Sequence, residues 1–338
     1  MRYANKLREG DVIGVCAPSS GIGAEQYQQL AKAEANVRGL GYGIVETASV
    51  RSNSKCVSAG AADRADEFMS LYEDPGVAAI IPPRGGEFLM DMLPHLDFSR
   101  LSGLPPKWVC GYSDITTLTF PLTVLCDIAA VHGSNLMNMG FRVIHESDLA
   151  AFEAMSKPEL TQKSSGFYGS YLPWDEDAEL AYLLTEKTVC ESLDGSARHD
   201  FEGRMAGGCM DVLGKLLGTK YAPVPEFLEM YRSDGFIWAL ESCEMNAADI
   251  YRTLWQMGEC GWFDHCNGMI IGRPAGYSDQ FDFTLRDALE CGPGRMGFPV
   301  IYGADVGHVP PQTQIVNGSY GIVEFRGSGL TIRQEMRE

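Results

Sequence analysis

The sequence lacks any long apolar run. Its apolar stretches are short, as in residues 77–81, whereas a transmembrane helix needs about 20 consecutive apolar residues. Residues 1–11 alternate polar and charged side chains and contain no apolar segment of the kind found in a signal peptide. We therefore expect a protein without membrane-spanning helices that is located in the cytoplasm.

Positive charge is also scarce. The chain has 27 lysine and arginine residues against 45 aspartate and glutamate residues, which gives a formal net charge of −18. No dense basic stretch occurs, and both nucleic acids and anionic membranes reward clustered positive charge. Neither is expected as a partner.

Paired metal-ligand and cofactor motifs are missing. The ten cysteines are irregularly spaced without a CxxC pair, and the group Cys260, His265 and Cys266 lacks the second ligand pair of a zinc site. The segment 20–23 contains a G-x-G but not the third glycine of a dinucleotide-binding loop. The sequence therefore predicts reduced thiols, no metal and no cofactor.

The 338 residues suggest about two domains. Strand-like segments alternate with helix-like segments in the first half, which favours an α/β fold with a parallel sheet covered on both faces. We expect an N-terminal domain over residues 1–163, a linker and aromatic loop over 164–200, and a C-terminal domain over 201–338. Strands are predicted at 12–17, 42–46, 77–81, 108–110, 129–132, 236–240, 268–272 and 300–302, and helices at 25–40, 61–72, 116–126 and 247–257.

Residues 107–116 place a serine between a short apolar strand and a helix. Ser113 at such a sharp turn would project its hydroxyl outward at the positive end of the helix dipole. The usual elbow motif has a glycine where Ile115 stands. The alternative interpretation is that Ser113 or Asp114 simply caps the helix.

A serine nucleophile needs preorganised donors for the oxyanion. The backbone N–H of Asp114 is one candidate. Arg84, Gly85 and Gly86 follow the preceding strand at the edge of the sheet where ligands bind in such folds, and two glycines allow close approach of the backbone to a ligand. An ordinary turn explains these glycines equally well.

Candidates for a base and an orienting acid follow strands in the second half. His308 lies on a loop bounded by glycine and proline after a strand, and His132, which also ends a strand, is its rival. Glu241 ends an apolar strand, with Glu244 and Asp249 as alternatives. The residues alone do not choose among them.

Six ordered segments together resemble the serine LD-carboxypeptidase family, which includes murein tetrapeptide carboxypeptidases and microcin C self-immunity peptidases. The segments are 7–20, 84–98, 106–116, 207–219, 241–244 and 307–310. The resemblance implies a flavodoxin-like or glutamine-amidotransferase-like N-terminal domain, a smaller C-terminal α/β domain, a site in the cleft between them and a homodimer. It also implies a triad of Ser113, Glu241 and His308.

The resemblance implies two substrate classes. One is a murein peptide that loses a terminal D-amino acid, and the other is a peptide-nucleotide toxin. Arg84 and Gly85 are candidate substrate contacts, with Arg84 suited to a terminal carboxylate. The aromatic residues Tyr168, Tyr171 and Trp174 are candidates for stacking on a nucleobase, although a dimer contact explains them as well.

Three departures from the family pattern concern the pocket. Glu87 and Phe88 follow the glycine pair. Many family members have an aromatic or small residue at the position of Glu87. Cys209 stands where many members have asparagine, and residues 314–318 replace the usual Pro-Leu-Gly run. These differences leave the pocket contacts open.

Overall fold

The computed structural model describes residues 1–337 of the chain. Its strands are β1 (Val12–Val15), β2 (Gly43–Glu46), β3 (Val77–Ile80), β4 (Trp108–Val109), β5 (Ala130–His132), β6 (Glu159–Lys163), β7 (Phe167–Tyr171), β8 (Tyr182–Lys187), β9 (Glu191–Ser192), β10 (Arg198–Cys209), β11 (Phe236–Glu241), β12 (Cys266–Gly272), β13 (Val300–Ala304), β14 (Ile315–Asn317), β15 (Tyr320–Arg326) and β16 (Gly329–Glu335). Its α-helices are α1 (Tyr27–Gly39), α2 (Ala61–Glu73), α3 (Phe98–Gly103), α4 (Thr116–Cys126), α5 (Glu146–Ser156), α6 (Met210–Leu216), α7 (Val224–Met230), α8 (Ala247–Glu259) and α9 (Leu285–Cys291).

The first sheet is parallel, as predicted. Its strand order is β2-β1-β3-β4, and a parallel bridge from Cys110 to Val131 places β5 next to β4. This is the order of the flavodoxin-like doubly wound fold, in which ligands bind beyond the carboxyl ends of the strands. The turns after β1, β3 and β4 therefore meet at one edge.

The second sheet has eight strands in the order β6-β16-β15-β10-β11-β12-β13-β9. Strands β10 to β13 are parallel, and antiparallel strands flank them on both sides. Although the C-terminal domain was expected to be the smaller one, its sheet is the larger, with eight strands against four. Two of the eight, β6 and β9, come from residues that precede 201.

The segment 164–200, expected to be a linker and aromatic loop, contains the antiparallel hairpin β7–β8. The aromatic residues of β7 favour a strand, but Gly169 interrupts it. Contacts with other parts of the chain hold the hairpin instead. The N–H of Gly169 donates to the carbonyl of Pro310 at 3.0 Å, and the Tyr182 hydroxyl donates to Asp148 at 2.7 Å.

Helix α4 joins the two sheets through a shared core. Nearly all of its side chains are buried, which is typical of a helix covered on every side. The ring of Phe120 stacks on Trp262 at 5.4 Å and lies 6.2 Å from Trp238 of β11. The helix that follows Ser113 is thereby fixed against the strand that ends at Glu241.

Within residues 1–337, no helix has both the length and the apolar character needed to cross a bilayer.

Truncating Phe120 should uncouple this shared core. Phe120→Ala is expected to lower the free energy of unfolding by about 3–5 kcal/mol, because a buried aromatic ring is replaced by a cavity. Phe281→Ala is the matched control, since Phe281 is 93% exposed and should change the value by less than about 0.5 kcal/mol. Equilibrium urea unfolding measures both, and equal values for the two variants would contradict the role given to Phe120.

Candidate active site

Ser113 lies on a strained turn between β4 and α4. Its φ of 63° is in the left-handed region, which costs free energy for a residue with a side chain and is a feature of nucleophile elbows. Gly111 makes the turn possible, because a Cβ there would lie 2.7 Å from both Asn135 Oδ1 and Ile115 Cγ2. No side chain caps α4 through a backbone hydrogen bond, so the capping alternative does not apply.

The glycine pair after β3 packs directly against this turn. A Cβ on Gly85 would lie 2.7 Å from the Cβ of Ser113 and 3.2 Å from the backbone nitrogen of Asp114, and a Cβ on Gly86 would lie 2.4 Å from Ser19 Oγ. Only glycine fits either position. Within residues 1–337, the N–H groups of Gly85, Gly86 and Asp114 donate to no acceptor in the chain, so they are available to an oxyanion.

The Asp114 carboxylate ties the loops of this edge together. It is buried and accepts hydrogen bonds from Ser19 Oγ at 2.5 Å, from the N–H of Leu89 at 2.9 Å and from Thr117 Oγ1 at 3.0 Å. The turn after β1, the segment after the glycine pair and α4 thus share one acceptor. This second role of Asp114, beside its backbone N–H, was not predicted from the sequence.

Glu241 and His308 form a hydrogen-bonded pair at the end of β11. Nδ1 of His308 lies 2.8 Å from Oε2 of the fully buried Glu241. Gly307 leaves room for the carboxyl group, since a Cβ there would lie 2.4 Å from Glu241 Cδ. Among the residues that the structure describes, the Nε2 of His308 has no hydrogen-bond partner, and His308 lines the same cavity as Ser113.

The pair is stabilised in its charged form. Burial, the largest single effect, lowers the pKa of His308. The charge of Glu241, together with hydrogen bonds to Cys243 and Glu241, outweighs burial and raises that pKa well above its ordinary value of 6.5. Burial likewise raises the pKa of Glu241, and the charge and hydrogen bond of His308 reverse this, so that its pKa is lowered. Imidazolium and carboxylate thus favour each other.

His132, the rival base, lies on the other side of Glu241. Its Nε2 is 3.6 Å from Glu241 Oε1 and its side chain is fully buried. Burial lowers its pKa to about 4, so the ring is neutral near pH 7. His132 does not line the cavity of Ser113. It contacts the carboxylate of Glu241 on the side that faces away from His308.

The alternative acids are directed elsewhere. Glu244 is exposed, and its backbone N–H donates to Asp211 at 3.1 Å. Asp249 pairs with Arg252 at 2.6 Å.

Asp211 also accepts from the N–H of Cys243, so its carboxylate fixes the turn that follows Glu241, a role that no sequence motif indicated.

The cavity that contains Ser113 and His308 has a volume of about 760 Å³. Among the predicted substrate contacts, those that line it are Arg84, Gly85, Tyr171 and Trp174. Tyr168 does not reach it, because its ring packs on the guanidinium of Arg273 at 4.4 Å.

Tyr112 was not singled out from the sequence, yet it contacts both sides of this cavity. Its ring lies 4.9 Å from that of His308, and its hydroxyl is 3.1 Å from that of Tyr171 on the hairpin. The hairpin therefore reaches the nucleophile turn through one pair of hydroxyl groups.

Cys209 lies beneath the pair, and the donor atoms of Cys209, Glu241 and His308 fall within 4.8 Å of one another. Burial raises the pKa of the Cys209 thiol well above its ordinary value. Metal ions bind the thiolate rather than the thiol. In the metal-free protein Cys209 is therefore a neutral thiol beneath a charged hydrogen-bonded pair.

The chain is similar in sequence to curated proteins over most of its length. The microcin C7 self-immunity protein MccF of Escherichia coli is 25% identical over an alignment of 346 positions, gaps included, that covers 98% of this chain and 96% of that protein. The murein tetrapeptide carboxypeptidase of Pseudomonas aeruginosa is 22% identical over 255 residues, 73% of this chain and 71% of that protein.

Solved structures share the fold. An MccF-like protein from Bacillus anthracis superposes with a TM-score of 0.84 at 20% identity, over 98% of this chain and 99% of that one. MccF in complex with glutamyl sulfamoyl guanosine gives 0.81 at 20% identity, over 99% of each chain. The muramoyltetrapeptide carboxypeptidase of Oxalobacter formigenes gives 0.74 at 19% identity, over 96% of this chain and 98% of that one.

Two domain families account for most of the sequence. Residues 13–133 match the LD-carboxypeptidase N-terminal domain, and residues 202–321 match the LD-carboxypeptidase C-terminal domain. The first match contains the nucleophile turn and the second contains both Glu241 and His308. The chain belongs to the LD-carboxypeptidase family.

Proposed function

We propose that this protein is a serine carboxypeptidase in which Ser113 is the nucleophile, His308 the general base and Glu241 the residue that orients the base. The observation that carries the proposal is the shared cavity: Ser113, on its strained turn, and the unpartnered Nε2 of His308 face one space. A serine hydroxyl, an imidazole and a carboxylate supplied by two domains support acyl transfer through a serine ester.

The mechanism follows from what each group can do. His308 in its neutral form accepts the proton of Ser113 as the hydroxyl attacks the amide carbonyl, and Glu241 stabilises the resulting imidazolium. The N–H groups of Asp114 and of Gly86 or Gly85 receive the oxyanion. His308 then protonates the leaving amine, and water repeats the sequence to release the acyl product.

We propose as substrate a murein peptide that loses its terminal D-amino acid. The one arginine on the cavity lining, Arg84, supports this class because a guanidinium pairs well with a free carboxylate. Its side chain is exposed and donates only to Gln26 at 3.1 Å, so it can turn toward a ligand at small cost.

A second candidate substrate is an aminoacyl-nucleotide-like conjugate, since the structural relative MccF forms a complex with glutamyl sulfamoyl guanosine. The rings of Tyr171 and Trp174 line the cavity and are suited to stacking on a base. The Trp174 indole is held in place, since its Nε1 donates to the carbonyl of Gly140 at 2.7 Å. The same triad would serve both substrates.

We also propose that the protein is a cytoplasmic homodimer. Apolar side chains on the hairpin support an interface there, because Phe167 and Leu183 are each at least half exposed, and exposed apolar patches commonly mark contacts between proteins. Sedimentation equilibrium should give twice the monomer mass of 37.0 kDa. A mass of 37.0 kDa at micromolar concentration would contradict the dimer.

Incubation with a murein tetrapeptide and a panel of aminoacyl sulfamoyl nucleosides should separate the two substrate classes. The intact enzyme is expected to release terminal D-alanine, detected by mass spectrometry. Ser113→Ala should lower kcat about 10⁴–10⁶-fold, because it removes the nucleophile. Release of the amino acid from the nucleoside conjugates alone would favour the second candidate, and equal rates for Ser113→Ala would contradict the triad.

The pH dependence should report the charged pair. Only neutral His308 accepts a proton, and its pKa is raised. We therefore expect kcat/KM to increase with pH as His308 loses its proton, at a pH above 6.5, and to be low at more acidic pH. Glu241→Gln removes the charge that raises this pKa, so the acidic limb should move to lower pH while kcat decreases. An acidic limb that stays in place in Glu241→Gln would contradict the assignment.

A further inference from the structure

Three side chains of the kinds that bind transition metals meet at the catalytic pair. Cys209 and Glu241 are register partners at the ends of the adjacent parallel strands β10 and β11, so the sheet itself holds them side by side. His308 joins them through its hydrogen bond to Glu241 at 2.8 Å. The sulfur, a carboxylate oxygen and a ring nitrogen all lie within 4.8 Å of one another. A single ion can therefore contact all three.

Polar atoms of this cluster lack partners. Within residues 1–337, neither Oε1 of Glu241 nor Nε2 of His308 has a hydrogen-bond partner, although Nε2 of His132 lies 3.6 Å from Oε1. The thiol of Cys209 makes a long hydrogen bond of 3.5 Å to the carboxylate of Asp211. Because Glu241 is fully buried, its unpartnered oxygen costs free energy. A cation bound there would recover part of this cost.

The donor types select the ion. Zn²⁺ binds thiolate, imidazole and carboxylate groups at about 2.0–2.3 Å, and its tetrahedral geometry places neighbouring donors about 3.3–3.8 Å apart. Side-chain shifts of about 1 Å bring the present cluster to that size. Mg²⁺ and Ca²⁺ instead prefer sites made of oxygen ligands. The cluster therefore suits Zn²⁺, with water at the fourth position.

The charges of such a site balance. The metal-free cluster holds a neutral thiol on Cys209 and an imidazolium–carboxylate pair on His308 and Glu241. Zn²⁺ replaces two protons, one from the thiol and one from the imidazolium, because a coordinating thiol is deprotonated. The thiolate and the carboxylate then carry two negative charges against the two positive charges of the ion. A buried site without net charge avoids the cost of an unpaired ion.

Metal binding and catalysis compete for the same imidazole. When Zn²⁺ occupies His308, this residue cannot accept the proton of Ser113. The ion reaches the buried donors from the cavity that His308 lines. Cys209 stands where many family members have asparagine, and a neutral amide supplies no thiolate. The competition is therefore a consequence of this chain's own cysteine.

We propose that Cys209, Glu241 and His308 form an inhibitory site for Zn²⁺. The metal takes no part in bond breaking, and its removal by a chelator restores the free base. Binding of the metal stands on the donor set alone, whereas the inhibition rests on the proposed function.

Titration with Co²⁺ tests the site without any substrate. Co²⁺ replaces Zn²⁺ in such sites, and a thiolate bound to it gives a charge-transfer absorption in the near ultraviolet. The intact protein should bind one Co²⁺ with this absorption, and Zn²⁺ should displace it. Cys209→Asn should lose the absorption and raise the Kd for Zn²⁺ at least about 100-fold. Cys209→Ser, which is nearly isosteric, gives a second variant without the thiol.

A matched control addresses the other group of thiol and imidazole side chains in the sequence. Cys260 is exposed and lies near His265 and Cys266 in the chain. Cys260→Ser removes one thiol from this group and leaves Cys209 in place. It should therefore keep both the absorption and the Kd of the intact protein.

The rate at which a fluorophosphonate labels Ser113 measures the inhibition. Zn²⁺ at about 10 times its Kd should slow the labelling of the intact protein about 10-fold, and EDTA should restore the rate. At the same Zn²⁺ concentration, Cys209→Asn should lose only about a tenth of its rate. Each rate is compared with that of the same protein in EDTA, so a change in basal activity does not affect the result.

The outcomes separate this inference from the proposed function. The inference is overturned if the intact protein shows no thiolate absorption with Co²⁺, or if the absorption persists without Cys209 or disappears in Cys260→Ser. Equal inhibition of the intact protein and Cys209→Asn by Zn²⁺ would also overturn it. If the metal-free protein is not labelled on Ser113, the proposed function fails and the inhibition fails with it, whereas the Co²⁺ absorption still decides whether the metal site exists.

Discussion

The hydrogen bond between His308 and Glu241 is the interaction on which the site depends. Glu241 is fully buried, and a buried carboxylate is stable only with partners that compensate its lost hydration. His308 supplies one partner at 2.8 Å, and neutral His132 covers the opposite side. The attraction between the two charges that stabilises the carboxylate of Glu241 also raises the pKa of His308. Catalytic base and structural anchor are therefore parts of one electrostatic arrangement.

This arrangement requires that the two sheets be held in a fixed relation. The nucleophile turn lies at the carboxyl edge of the first sheet, whereas Glu241 lies at the end of β11 in the second. Helix α4 spans the boundary and packs through Phe120 on Trp238 and Trp262 of the second domain. The hairpin adds a second support, because Tyr171 contacts Tyr112 beside the nucleophile. Packing far from the chemistry thus sets the position of Ser113.

The sequence predicted the elements whose boundaries are set by neighbouring residues. Helix α4 and the strands before Ser113 and Glu241 were predicted within one or two residues, because apolar runs bounded by glycine, proline or capping residues give strong signals. The hairpin was missed because its stability comes from Pro310 and Asp148, distant in sequence. Likewise, the choice of His308 over His132 rested on family resemblance, and only the fold separates the two by burial. The contacts of Asp211 and Tyr112 left no sequence signal, since each depends on partners brought together by the fold.

Covalent labelling of the nucleophile tests the central claim most directly. The protein and its His308→Ala variant are treated with a fluorophosphonate, digested, and mapped by mass spectrometry. The account predicts one label per chain, on Ser113, formed rapidly in the intact protein and slowed at least about 10³-fold in the variant, because the base that activates the hydroxyl is gone. A label on another residue, or equal labelling of Ser113 in both proteins, would contradict the triad.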